Sequence, residues 1–281
     1  MRQRRKAARL SQLDLALEAG ISPRHLSFVE LGKSRPSPAL LLALAEHLNV
    51  PLRERNDWLL AAGYAPRYPQ RPLDAPVLAR IRGSLQGVLD AHDPFPAVAI
   101  DRSWDVQMAN MSALRLGAAL PDHVTGPVPN LFRMALHPDG FASRSPNFAD
   151  WSPYLLRNLA LTLARHGGPA LGKLAAEAES WPGLPPRDTW SHVTANGITE
   201  PVMTWRISAQ GGQELSFFTV MSMLGTPLEV TLAELTLELF FPADATTQEF
   251  LEASQDGSGC QVASAAAPRR ADGLDQRPAQ D

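Results

Sequence analysis

Apolar residues recur with helical spacing through the first 66 positions and turn to alternating spacing only further on, so the chain changes character along its length. Ser11 stands as a helix N-cap with Asp14 in capping-box position; Leu13, Ala16 and Leu17 share one face before Gly20 closes the segment. Ile21 is apolar, Ser22 caps again, and Pro23 sits in the first turn, where a missing N–H costs nothing. That helix turns Leu26 and Val29 inward and stops at Gly32. Ser37-Pro38 repeats the start, and Leu40, Leu41, Leu44, Ala45 and Leu48 form a strong stripe that Asn49-Val50-Pro51 ends. A last helix holds Trp58, Leu59 and Ala62, completing an all-α domain over residues 1–66.

The stretch YAPRYPQRPLDAP, with four prolines, reads as a domain boundary, and a connecting helix around Val77–Leu89 completes a linker over 67–92. PAVAIDRSWDVQMAN then gives two strands around a turn at Asp101–Ser103 and a helix entered at Asn110. A helical middle follows: Pro153 opens a helix with Leu155, Leu156, Leu159 and Leu163 on one side, and Gly167-Gly168 closes it. Strand patterns return in PVMTWRI, in ELSFFTVMSML after the Gly211-Gly212 turn, and in LTLELFF. The sum is an α+β domain over 93–252 with an antiparallel sheet of about five strands and helices packed on it. Residues 253–281 are too poor in apolar side chains to order themselves and read as a disordered tail.

Composition narrows the class. No apolar run approaches the roughly 20 residues that span a bilayer, and MRQRRKAARL lacks the apolar core of a signal peptide, so no membrane insertion and a cytoplasmic location are expected. Cys260, the single cysteine, allows no internal disulfide and no thiolate cluster. The net charge of -3 conceals an asymmetry: residues 1–66 hold ten Lys/Arg against six Asp/Glu, the rest sixteen against twenty-three. A positive end attracts phosphate and gains affinity by releasing counterions, which marks the N-terminal domain as the part that meets nucleic acid. There is no GxSxG, P-loop, dinucleotide or HExxH signature, and the seven histidines show no ligand-like i, i+4 spacing; no catalysis, cofactor or metal is expected.

LSQLDLALEAGISPRHLSFVELGKSRPSPALLLALAEHLNVPL resembles the helix-turn-helix of the XRE family, the Cro/C1-type repressor-like regulators. The resemblance rests on Leu10-Ser11-Gln12, the small Ala16, the Ala19-Gly20-Ile21 turn, Glu30-Leu31-Gly32, Arg35-Pro36-Ser37 and Leu44-Ala45. It implies a lambda-repressor-like fold in which residues 22–31 enter the major groove of double-stranded DNA. By matching position, Pro23, Arg24 and Phe28 face the bases, Ser22, His25 and Ser27 lie beside them, Gln12 clamps a phosphate, and Lys33 and Arg35 hold the backbone. Arg24 suits a guanine edge, since a guanidinium can bond O6 and N7 together; a phosphate contact stands beside that reading. RQRRKAARL is shorter than the usual first helix of the family, which bears on affinity and leaves a start assigned too late as one explanation.

The remainder, through PLRERNDWLLAAGYAP, DPFPAVAIDRSWDVQMAN, NLFRMALHPDG and LGTPLEVTLAELTLELFFPAD, resembles the ligand-binding domain of MmyB-like regulators. This implies a PAS-like fold and a small apolar effector, with a fatty acid as one form. Trp104, Phe132, Leu155, Leu159, Trp205, Phe217 and Met221 are the apolar lining residues to weigh against plain core, and Asn110, Arg133, His137 and Arg157 the polar anchors. Asn110 reads equally as a helix cap and His137-Pro138-Asp139-Gly140 as a turn. The expected function is a sequence-specific transcription regulator acting as a homodimer, because one recognition helix reads few base pairs. Two alternatives remain: a protein-interaction module with vestigial DNA binding, and a ligand-processing enzyme joined to a DNA head.

Overall fold

A computed structural model of the chain describes residues 1–192, 202–209 and 212–255. Cys260, Gly211 and most of the expected tail lie outside these residues. The described residues form two compact units: Met1–His92 with Ala97–Asn110 and Thr219–Leu239, and Asp93–Pro96 with those of 111–218 and 240–255.

The first unit begins with five helices, α1 (Arg2–Ala7), α2 (Gln12–Glu18), α3 (Pro23–Glu30), α4 (Pro38–His47) and α5 (Leu52–Ala61). Ser11, Ser22 and Ser37 each cap a helix through the side-chain oxygen, and Asp14 completes the capping box with Ser11, as the sequence predicts. Leu15, Ala16, Leu26, Leu44, Ala45, Leu48 and Val50 make the core of this head. Burying each of the leucines contributes about 1.5–3 kcal/mol. One expected face is corrected: Leu13 and Leu17 are 54% and 69% exposed, while Leu15 and Ala16 are fully buried. Leucine occupies positions 13, 15 and 17, and an i, i+4 pair on the wrong side satisfies the same periodicity.

The same unit continues with α6 (Ala79–Asp90), β1 (Ala97–Ile100) and β2 (Val106–Ala109). The second unit supplies α7 (Met111–Gly117), α8 (Asp122–Thr125), α9 (Leu131–Leu136), α10 (Phe148–His166), α11 (Pro169–Ala178) and β3 (Trp205–Ser208). Last come β4 (Glu214–Met223), α12 (Val230–Ala233), β5 (Thr236–Pro242) and α13 (Ala245–Gln255). The five strands form one sheet in the order β2-β1-β5-β4-β3, and β1 runs antiparallel to both β2 and β5, β3 antiparallel to β4. This is the α+β architecture that the alternating patterns predict.

Alternation sorts the faces of the first unit's strands. Ala97, Ala99, Leu237 and Leu239 pack with Leu85 and Leu89 of α6, so Glu238, opposite Val98 in the ladder, points to the other face. In the second unit α10 starts at Phe148, and Pro153 lies inside it rather than at its opening. The missing proline N–H falls in the second turn and removes one bond, a cost offset by burial of Trp151, Leu156 and Leu159.

Candidate functional site

The turn between α2 and α3 sets the reading face of the head. Gly20 has φ +66°, a region that suits glycine, and Ile21 N–H then donates to Ala16 O at 2.9 Å. Ala16 is fully buried where the two helices meet, so a larger residue there would part them. With Leu26 turned inward, Ser22, Pro23, Arg24 and Phe28 are left exposed and His25 and Ser27 half-buried. The Arg24 guanidinium carbon lies 5.5 Å from the Phe28 ring centroid, so the two share one face. Lys33 is exposed just beyond, its main-chain N–H bonded to Phe28 O at 2.8 Å.

Two of the expected backbone clamps are engaged inside the head. Gln12 Nε2 donates to Glu30 Oε2 at 2.8 Å, joining a pair in which Arg5 Nε and Nη2 donate to Glu30 at 2.7 and 2.9 Å. That network ties α1 to α3; the Arg5 hydrogen bond holds the Glu30 carboxyl below its usual range, and Glu30 raises Arg5 in turn. Arg35 lies over the Tyr64 ring at 4.3 Å and donates to Gly63 O at 3.0 Å.

In the second unit, Trp205 stands among Phe141, Phe217 and Phe240, with ring centroids at 5.1, 5.7 and 5.7 Å. Among the described residues its buried Nε1 has no hydrogen-bond partner. Phe217, Phe132 and Leu159 are buried. Arg133 is paired with Glu177 at 2.5 Å, and Arg157 is exposed on α10. His137 packs edge-on to Trp181 at 5.0 Å, and its burial lowers the imidazole pKa against the opposing pull of Asp139. In the first unit, Asn110 is buried and staples β1 to α6, its Oδ1 accepting from Ala97 N–H at 3.0 Å and its Nδ2 donating to Leu89 O at 3.2 Å. Met221 is 47% exposed. It lies in the part of β4 where solvent covers successive residues.

Residues 81–253 match the family model described as the MmyB-like transcription regulator ligand binding domain, and residues 1–55 match the one described as helix-turn-helix. The chain belongs to the MmyB-like regulators. It is thus a DNA-binding transcription regulator with a ligand-binding domain, as the two resemblances imply. No curated protein matches it. Both matched families are regulatory, and no helix among the described residues is long and apolar enough to cross a membrane.

Within the first unit this MmyB-like regulator carries a polar latch that the sequence did not disclose. Arg53 of α5 makes a two-pronged pair with Glu234 beside α12, and its Nη1 donates to Gln70 Oε1 at 2.7 Å. Buried Glu229 accepts from Arg71 N–H at 2.6 Å and from Leu232 N–H at 3.0 Å, while Val230 N–H donates to Pro69 O at 2.8 Å. Asn56 holds the same stretch, accepting from the N–H groups of Arg67 and Tyr68 at 3.0 Å each. Only the pairing of acids in LEVTLAEL with arginines in PLRER hinted at this, and one sequence does not show which charges meet. Glu238 was missed as well: it is buried, hydrogen-bonded to Thr219, with Oε2 unpartnered, and desolvation pushes its carboxyl up to about 7.

Proposed function

We propose that this regulator reads a specific DNA sequence as a cytoplasmic homodimer and that its PAS-like domain senses a small apolar molecule, a long-chain fatty acid being the effector to test first. The observation that carries the reading is the exposed α3 face. Pro23, Arg24 and Phe28 project together from a head that carries an excess of cations, the arrangement a major groove accepts. Arg24 pairs with a base edge, Ser22, His25 and Ser27 flank it, and Lys33 holds a phosphate. Two-fold pairing of heads doubles the bases read.

The aromatic cluster around Trp205 supports the effector. It offers apolar walls and one buried N–H that has no partner among the described residues, which an acyl carboxylate or carbonyl oxygen would satisfy. The latch of Arg53, Glu229 and Glu234 supports coupling, because it fastens the last helix of the head to the segment joining β4 and β5. An effector that favours one placement of that segment shifts the head, and only a difference in affinity between the two placements achieves this.

The interaction-module reading draws on Gln12 and Arg35, whose polar groups are already occupied within the head. Fluorescence anisotropy of a labelled duplex from upstream of the protein's own gene separates the two. Saturable binding that weakens steeply with salt and survives competitor DNA supports the regulator, and a shift on adding fatty acid supports the sensor. Binding without salt dependence or sequence preference favours the interaction module.

A further inference from the structure

Beside the apolar cluster that joins Val124, Met134, Phe141 and Trp205, three side chains of the second unit converge at the end of α9. His123 on α8, His137 just past α9 and Asp139 two residues later offer one donor atom each, all within 4.8 Å of one another. We propose that His123, His137 and Asp139 form a binding site for a borderline divalent cation of the zinc and nickel class, a ligand different in kind from the apolar effector.

The donor set selects the cation. Two imidazoles and a carboxylate suit zinc or nickel, whereas magnesium and calcium take oxygen sets. Bonds of about 2.0–2.1 Å around a tetrahedral cation place donors roughly 3.4 Å apart, so the widest separation here closes by at most about 1.4 Å. His123 Nε2 and Asp139 Oδ2 already stand 2.9 Å apart across a hydrogen bond. A cation takes the place of the proton they share, which leaves to solvent from a charged imidazole or moves to Nδ1 of a neutral one. Three protein ligands leave a fourth position for water.

The scaffold is set before any cation arrives. Gly140 N–H donates to His137 O and Phe141 N–H to Met134 O, each at 2.8 Å. A Cβ on Gly140 would meet Met134 O at 2.3 Å, so the turn admits glycine alone without shifting. Val124 of α8 is fully buried against Met134 and Phe141, which fixes the helix that carries His123. Asp139 N–H donates to His137 Nδ1 at 3.0 Å. Ligation displaces that bond as well as the one between His123 and Asp139: a cation at Nδ1 takes the place of the Asp139 N–H, and one at Nε2 needs the Nδ1-protonated tautomer, which no longer accepts it. Arg133, whose charge acts on His137, is paired with Glu177, so its repulsion of an incoming metal is offset. His123 and Asp139 are exposed, which leaves an entry path.

The test is calorimetric titration of zinc ion into the full chain after chelator treatment, near neutral pH. One equivalent binding in the micromolar range is expected. His123→Ala and Asp139→Asn, both on the surface, should each weaken it at least about tenfold, the loss typical even of an outer-shell partner. His47→Ala, in the head, should leave it unchanged. Because Trp181 abuts His137, nickel ion should quench part of the tryptophan emission, and Trp181→Phe should remove that quenching while zinc still binds. Affinity no tighter than millimolar, or binding that both His123→Ala and Asp139→Asn leave intact, overturns the proposal.

Discussion

Arg53 and Glu234, 181 residues apart in the chain, meet in a parallel two-pronged ion pair, Nε to Oε1 at 2.7 Å and Nη2 to Oε2 at 2.8 Å. Both side chains are largely shielded from solvent, and Arg102 stands 3.7 Å from the same carboxylate. A bidentate guanidinium pair tolerates little sliding, so the contact fixes orientation as well as distance. The last helix of the DNA head and the α12 segment therefore behave as one body in the first unit. The proline-rich stretch between them, a linker by composition, is hydrogen-bonded along Arg67, Tyr68, Pro69 and Arg71.

Breaking this pair should uncouple effector from DNA. Arg53→Ala or Glu234→Ala should each cost about 1.5–3 kcal/mol of stability in urea unfolding, the range for hydrogen bonds to charged groups. The double variant should lose less than the sum of the two. The functional readout is the ratio of DNA affinities with and without fatty acid, which should fall toward unity in either variant. An unchanged ratio would remove the latch from the signalling route.

Acid should loosen the head through Glu30. Its folded pKa is depressed, chiefly by the Arg5 hydrogen bond, so its contribution is complete above the unfolded value of about 4.3 and is lost as pH falls through the folded value. Asp14, lowered by its bonds with Ser11, acts in the same direction. Glu30→Ala leaves the Arg5 guanidinium buried without its partner and should cost about 3 kcal/mol at neutral pH. Thermal unfolding followed by circular dichroism should show wild type and variant converging as the pH drops below about 4.

Local rules made most of the fold legible. Three serine caps, two of them followed by proline, fixed the starts of α2, α3 and α4, and alternation located all five strands. What stayed hidden depends on contacts distant in sequence. Leu13 and Leu17 fit a helical face as well as Leu15 does, and only the packing of α3 decides between them. Asn110 looked like a cap or a ligand anchor, but its amide is spent on Ala97 and Leu89. The Asn147 amide holds β3 by bonding Thr204 O and Arg206 N–H, which nothing in SPNF announces. For the DNA face, α3 and its exposed residues followed from the motif. The engagement of Gln12 by Glu30 did not, because it needs the position of α1.

Glu238 should make the protein less stable as pH rises. Its folded pKa of about 7 lies above the unfolded value of about 4.3, so the folded state holds the extra proton in that interval. Stability then falls across the interval and levels off above it, by a total on the order of 4 kcal/mol. Glu238→Gln keeps the shape, removes the ionisation and should flatten this slope. Urea midpoints at about pH 4 and about pH 8 check it: the variant should match wild type at the lower value and exceed it at the higher.

Arg24 and Lys33 should fail in different ways when removed. If Arg24 bonds a guanine edge, Arg24→Ala costs roughly 1–3 kcal/mol on the cognate duplex and little on one altered at that base pair, so specificity relaxes at a single position. Lys33→Ala should weaken cognate and unrelated duplexes alike and reduce the slope of log affinity against log salt by about one. Phe28, stacked beside Arg24, links the two effects. Phe28→Ala frees the guanidinium to reach phosphate, and should lower discrimination more than it lowers total affinity. Anisotropy titrations of the three variants on two duplexes across a salt series distinguish these outcomes. Equal losses on both duplexes for Arg24→Ala would reassign that residue to the phosphate backbone.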